Sequence, residues 1–397
     1  MGQGMLTALV NGTIYTSPAE EPIRDGVVLI DGGKIAAAGS RLAVPAQAEV
    51  IDCTGCTITA GFWNSHIHFF ERKWSGAADI PAAELARQLQ DMLTRYGFTS
   101  VFDLSSVWEN TRGLRDRIES GEVPGPRIRS TGEGLIPVEP GLPADAVLQF
   151  MGVVKAEMPE VGDAEQAAAA ARKLLNAGVD GIKLFASAPS KAALSEEAMR
   201  AAAAEAHRAG RPVFVHPNHA ADLLAAIRAG VDIVGHTTPR SGPWDAALLD
   251  AMLERRVALT PTLTLWKYYL RHDRLSAQER TVETAVGQLR AWVAAGGEVL
   301  FGTDLGAVDY DPAEEYALMA AAGMSFPQIL NSLTAAPAKR FGAADRLGSV
   351  ATGADADLVV LEGDPATDPR ALSAVRWTLR AGRAIYNQGI NVSSAHE

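Results

Sequence analysis

Between residues 57 and 344 the chain alternates strand-like and helix-like segments eight times, and this rhythm restricts the fold more than any other feature. The strand-like runs cover 57–63, 99–104, 127–131, 179–185, 212–216, 231–236, 257–260 and 299–303. Each precedes helical patterning, at 82–96, 111–120, 164–176, 196–209, 220–229, 244–255, within 277–295, and at 312–322 continuing into 327–341. Strands separated by helices pair in parallel, because each helix carries the chain back to the same edge. Gly97, Gly178, Gly210, Gly230 and Gly297 stand between a helix and the next strand, where a left-handed helix end favours glycine. Eight such units predict a (β/α)8 TIM barrel, an α/β fold. A doubly wound open sheet is the alternative, but the sequence carries no glycine-rich dinucleotide fingerprint to support it.

The two ends read differently. Residues 6–10, 12–15, 26–31 and 34–37, with a Gly32-Gly33 turn, form a run of short strands, and 356–361, 375–381 and 384–387 repeat that grammar. We expect one discontinuous β-sandwich domain from residues 1–56 and 345–397, enclosing a catalytic barrel at 57–344. With 397 residues, 47% hydrophobic and 21% charged, the chain can bury both cores. Its net charge of -11 disfavours nucleic acid and acidic membranes as partners and suits a small-molecule or dipeptide-like substrate. The first ten residues lack the basic and apolar regions of a signal peptide, so a cytoplasmic location is expected. Cys53 and Cys56 read as small residues flanking a turn at Gly55, since two thiolates alone cannot close a zinc site.

An active site on such a barrel gathers at the C-terminal ends of the strands. There the chain places His66 and His68 after the first strand, Lys183 on the fourth, His216 after the fifth, His236 after the sixth and Asp304 after the eighth. His66 and His68 share one face of a strand by their period of two. Four of the eight histidines therefore fall at these ends, and imidazole with carboxylate is a metal-ligating set.

This constellation resembles the amidohydrolase superfamily, in the binuclear-metal branch of imidazolonepropionase-like and prolidase-like hydrolases. The resemblance runs over nearly the whole chain and includes Gly33-Lys34-Ile35, Ala229-Gly230-Val231-Asp232, Gly302-Thr303-Asp304, Arg346 to Val350 and Gly353 to Val360. It implies two divalent ions, zinc first, with His66, His68 and Asp304 on one and His216 and His236 on the other. Lys183 would bridge them as an N6-carboxylated lysine, because an ammonium would repel both cations. A metal-bridging hydroxide would attack, and Asp304 would act as the catalytic acid/base. The implied reaction is cleavage of a C–N bond in an amide, cyclic amide or dipeptide-like substrate. Association into a homo-oligomer is compatible with the resemblance.

The chain departs from the family at two places. Asn64 stands where many relatives carry Asp, and Asn218 where prolidase-like members commonly carry a second His. Asn218 and His219 are candidates for substrate contact or for capping the next helix. Arg72 and Lys73 in the loop after the first strand, and Trp266 and Tyr268 after the seventh, are further candidates for the pocket, with residues 132–160 as a third loop. Two rival functions are a mononuclear-metal deaminase of a ring amine and a non-catalytic scaffold of amidohydrolase descent. The deaminase would need Glu where His219 stands, and the scaffold would be expected to have lost ligands.

Overall fold

Strands buried on both faces demand large apolar residues at successive positions, and the central segments meet that demand. The computed structural model describes residues 6–138, 158–187, 192–272, 274–306, 308 and 310–388. In it Phe62–Ile67, Phe98–Asp103 and Arg127–Ser130 form one parallel sheet, and Ile182–Phe185, Val213–His216, Ile233–Val234, Ala258–Leu259 and Glu298–Val299 form another, each strand beside the next in chain order. Trp63, Phe102, Phe214, Ile233, Ala258 and Leu300 pack with Phe341 in one buried cluster. Their sequence neighbours Phe62, Val101, Val213, Val215, Val234, Leu259 and Val299 join a larger cluster with the helices. Ile182 and Leu184 belong to that larger cluster, so strand alternation turns Lys183 to the opposite face.

Backbone hydrogen bonds link the two parallel sheets at both edges. At one, Ser65 N–H donates to Phe301 O (2.7 Å), Asp304 N–H to His66 O (2.8 Å) and His68 N–H to Leu305 O (2.8 Å). At the other, Asp180 N–H donates to Ser130 O (2.7 Å), while Leu135 exchanges two 2.9 Å bonds with Lys183 O and Phe185 N.

The helices follow local rules. Ala164–Asn176 starts where the Asp163 carboxylate accepts the Gln166 N–H (2.8 Å), and it buries Ala167, Ala171 and Leu174 along one face. It gives way at Gly178, φ +94°. At the end of Leu275–Ala294 the left-handed residue is Gly296 (φ +81°), not the expected Gly297, whose Cβ would strike the Trp292 ring. A helix at Leu263–Tyr269 was not expected from the sequence. No helix among the described residues is long and apolar enough to cross a membrane.

The strand expected at 57–63 is two strands. Cys56–Ala60 pairs with Thr7–Ile14 and Leu358–Glu362, whereas Phe62–Ile67 joins the parallel sheet; Gly61 lies between them because its Cβ would meet the Thr99 side chain. The terminal strands form one eight-stranded sheet, ordered Arg383–Asn387, Val375–Arg380, Leu358–Glu362, Cys56–Ala60, Thr7–Ile14, Ile23–Asp31 and Lys34–Ser40. Glu49–Asp52, missed in the sequence, branches from Thr7–Ile14. Cys53 and Cys56 are free and buried around Gly55 (φ +74°), and burial pushes the Cys53 thiol up to about 12.

Arg127 ties the parallel sheet to the terminal sheet's entry segment. It donates to Asp357 and to Asp355 (3.1 Å), both buried, and Lys34 meets Asp355 at 2.5 Å. Removing one partner from such a set leaves a buried carboxylate uncompensated. Arg127→Ala is expected to cost about 3 kcal/mol, read as a lowered urea midpoint, and Arg127→Lys should recover only part of it because the two-pronged contact is lost.

Candidate metal centre

The strand alternation that buries Phe214 and Ile233 brings the candidate ligands to one place. Asp304 sits in the left-handed region (φ +63°), its N–H bound to His66 O, which aims its side chain back across the first strand. Its Oδ1 lies 2.6 Å from His68 Nε2 and 3.3 Å from His66 Nε2. Ligand atoms of His66, His236 and Asp304 all lie within 4.8 Å of one another. The ring of His66 is 4.7 Å from that of His236 and 5.2 Å from that of His68, and His216 is 4.6 Å from His236, centroid to centroid. The compact trio thus draws on both of the ion sites expected from the sequence, with His68 and His216 at its sides.

Lys183 Nζ is buried beneath this group without a hydrogen-bond partner, as are His66 Nε2 and His68 Nδ1. Unpaired buried donors and acceptors are costly, so Lys183 Nζ and His66 Nε2, both beside Asp304, indicate a missing polar group. Burial draws the Lys183 amine down to about 7, against the pull of Asp304. Burial, reinforced by Lys183, also lowers His66 to about 3 and His216 to about 4, and His236 falls well below the ordinary range by burial and its two neighbouring imidazoles. Burial opposes ionisation of Asp304, yet His66 and His68 hold it well below the usual carboxylate range. Neutral imidazoles, one carboxylate and a basic amine able to take up carbon dioxide are a donor set that fits divalent cations.

Surrounding residues orient these groups. Asn64 Nδ2 donates to Thr303 Oγ1 (2.7 Å) and its Oδ1 accepts the His66 N–H (3.2 Å), so the amide at this departure from the family joins the first and eighth segments. Asp103 accepts the Phe69 N–H (3.1 Å) next to His68, and also hydroxyls of Ser106, Thr111 and Ser130. The Thr260 hydroxyl donates to Val234 O (3.1 Å) and lies 3.4 Å from His66 Nδ1; Thr262 Oγ1 lies 2.7 Å from His236 Nδ1. The sequence reading missed Thr260 and Thr262, although their period of two after the seventh strand was a signal. It also missed Glu315, which sits inside an ordinary helical pattern and leaves no such mark.

The other candidates are more scattered. Asn218 braces the site: Oδ1 is 3.3 Å from His216 Nε2, and Nδ2 donates to Ser187 O (3.0 Å) and Oγ (2.9 Å). His219 is exposed at the start of helix Ala220–Ala229, its N–H donating to Asp222 (3.0 Å), which is the capping role. Lys73 is engaged by Glu71 (3.0 Å) and Tyr310, and Arg72 is exposed. The Trp266 ring is buried with Nε1 on Thr237 Oγ1 (2.8 Å), and half-buried Tyr268 lies under Arg271 (4.2 Å). Within the expected 132–160 loop, residues 139–157 lie outside the described residues. Two phenyl rings flank the centre: Phe70 at 4.8 Å from the His68 ring and Phe185 at 5.3 Å from the His216 ring.

Comparison with known proteins accords with this geometry. The chain is 26% identical to the ochratoxinase of Aspergillus niger over 421 aligned positions, covering 93% of this chain and 85% of the relative. The crystal structure of that ochratoxinase superposes with a TM-score of 0.79 at 22% identity, covering 98% of this chain and 97% of the other. A Xaa-Pro dipeptidase with bound methionine in its active site superposes with a TM-score of 0.82 at 23% identity, covering 96% of this chain and all of the other, and these likenesses show a TIM-barrel-type α/β fold. A dihydroorotase of Mycobacterium tuberculosis is 33% identical over 160 residues, 40% of this chain and 30% of the relative. The sequence profile of the amidohydrolase family matches residues 57–385. The chain belongs to the amidohydrolase family and is a hydrolase acting on carbon–nitrogen bonds.

Proposed function

We propose that this protein hydrolyses the amide bond of a small N-acylated amino acid, dipeptide or cyclic amide at a centre of two divalent ions, zinc first among them. The observation that carries the reading is the meeting of His66, His68 and His236 with Asp304 beside a buried, unpartnered Lys183 Nζ. His66, His68 and Asp304 would hold one ion and His216 and His236 the other, with Lys183 carboxylated on Nζ between them. Divalent ions held there supply a water that ionises near neutral pH and a Lewis acid for the carbonyl oxygen.

This chain's own residues then do the rest. Asp304 takes the proton of the attacking water on its carboxylate and hands it to the departing nitrogen, which as an amine anion would leave poorly. His68 and His66, with Nε2 at 2.6 and 3.3 Å from its Oδ1, keep that carboxylate aimed at the centre. Phe70 and Phe185 offer apolar walls beside His68 and His216, which suits an acyl or amino-acid side chain of low polarity. The Xaa-Pro dipeptidase and ochratoxinase likenesses support a substrate of that size. Engagement of Lys73 by Glu71 and Tyr310 leaves exposed Arg72 as the better candidate to meet a substrate carboxylate. The hydrogen bonds across both edges of the parallel sheets support a closed eight-stranded barrel. The branching of Glu49–Asp52 and Cys56–Ala60 from one strand supports a sandwich built by both chain ends, its boundary with the barrel at Gly61 rather than at residue 56.

A hydrolysis screen of N-acyl amino acids, dipeptides, lactams and aryl amides with metal-loaded protein, alongside metal analysis, tests the reading. About two ions per chain and amide cleavage are expected. One ion with ammonia release from a ring amine would move the assignment to a deaminase, and neither metal nor turnover would leave a scaffold. Lys183→Ala should lose bound metal and activity together, with partial recovery by short carboxylic acids; full metal content and activity in that variant would sink the carbamate bridge. Gly235→Ala probes the room around the lysine, because an added Cβ would lie 3.0 Å from Lys183 Nζ and 2.9 Å from the immobile Val215 carbonyl oxygen. We expect about a 10-fold or greater fall in metal affinity and turnover for this variant.

A further inference from the structure

Thr262 has φ +43° and ψ +54°, a left-handed conformation that a β-branched residue seldom adopts. Backbone of this kind persists where its surroundings over-determine it, and it concentrates at functional sites. The holding group is Glu315, fully buried on helix Ala313–Ala321. Its carboxylate accepts the N–H groups of Leu263 and Thr264, each at 2.8 Å, and the Thr264 hydroxyl at 2.9 Å. These are the two residues that follow Thr262, so both oxygens of one buried carboxylate clamp the chain immediately after the strained position. The helix that Leu263 opens, Leu263–Tyr269, is fastened at a second point by Trp266 on Thr237, the residue after His236.

Once the backbone is clamped, the Thr262 hydroxyl has little choice of partners. Its Oγ1 lies 2.7 Å from His236 Nδ1 and 3.5 Å from Gly235 O. A carbonyl can only accept, so with the hydroxyl proton on Gly235 O the oxygen is left to receive the proton of His236 Nδ1. A neutral imidazole protonated on Nδ1 carries its lone pair on Nε2. Thr260 repeats the device one period earlier, donating to Val234 O at 3.1 Å and facing His66 Nδ1 at 3.4 Å. His66 Nε2, on the far side of that ring, lies 3.3 Å from Asp304 Oδ1.

We infer that Thr262, locked in its strained conformation by Glu315, is a positioning residue that fixes the tautomer and ring angle of His236 and so presents Nε2 to a divalent ion. Glu315 acts through Thr262 and touches neither ion nor substrate. The inference rests on the reading of His236 as a metal ligand.

Chelator-stripped full-length protein titrated with cobalt(II) tests it, with affinity measured by chelator competition and coordination by the visible cobalt absorption. Thr262→Val should weaken cobalt binding about 10–100-fold and alter the absorption bands. Thr262→Ser, which keeps the hydroxyl, should stay near wild type. Thr262→Gly should raise the thermal midpoint by relieving strain while losing affinity as Thr262→Val does, a split that a merely structural role would not give. Glu315→Gln should weaken binding in the same direction, and adding it to Thr262→Val should have little further effect. Wild-type protein that binds cobalt with Thr262→Val unchanged in affinity and spectrum would overturn the positioning role alone. Wild-type protein that binds no cobalt would overturn the metal reading and this inference with it.

Discussion

The arrangement of the centre depends on one buried carboxylate. Asp304 has been taken out of water, which by itself would drive it neutral, and it stays ionised because His66 and His68 face its Oδ1. Its left-handed backbone and its bond to His66 O make the eighth segment double back over the first, so placement of the carboxylate and pairing of the two segments are one event. The same burial draws down His66, His216 and His236, and a buried amine with no partner completes the group. Such a collection is poorly balanced as an apolar core and well suited to cations.

Around this group lies a shell of short polar side chains that work by orientation. Asn64 ties His66 N–H to Thr303, Asp103 holds the chain beside His68, Asn218 meets His216, and Thr260 and Thr262 meet His66 and His236. Outer contacts of this kind set the tautomer and direction of ligating groups. The strain at Thr262 and Asp304 is stored where that direction matters, and the fully buried Glu315 and the strand pairing hold it in place. The larger core outside the parallel strands supplies the rigidity against which these contacts act.

Much of the fold was legible because helices and strands announce themselves by different periods. Helices Ala164–Asn176 and Ala220–Ala229 match their expected bounds to the residue, each with an acidic group at its start and glycine at its end. The strands near the site were overestimated: the run at 231–236 pairs only at Ile233–Val234, and that at 299–303 only to Val299. Beyond those points the chain leaves the ladder to let neighbours approach, as at Gly302, where a Cβ would lie 2.8 Å from His66 Cβ. Apolar composition does not distinguish a residue that pairs from one that curves over a site.

The sequence by itself determined the alternating architecture and the residue types at the strand ends, since each follows from local period and chemistry, and it carried the resemblance to the family. Tertiary structure decided what those residues are to one another. It split the 57–63 run between two sheets, placed Lys183 without a partner beneath the centre, and made the compact trio His66, His236 and Asp304. It assigned His219 to a helix cap and Lys73 to a contact with Glu71 and Tyr310, and it brought Glu315 against the start of a helix some fifty residues away in sequence. These are long-range facts. A carboxylate on a helix reads as solvated until packing removes the water around it, and only the folded chain says which donors replace that water.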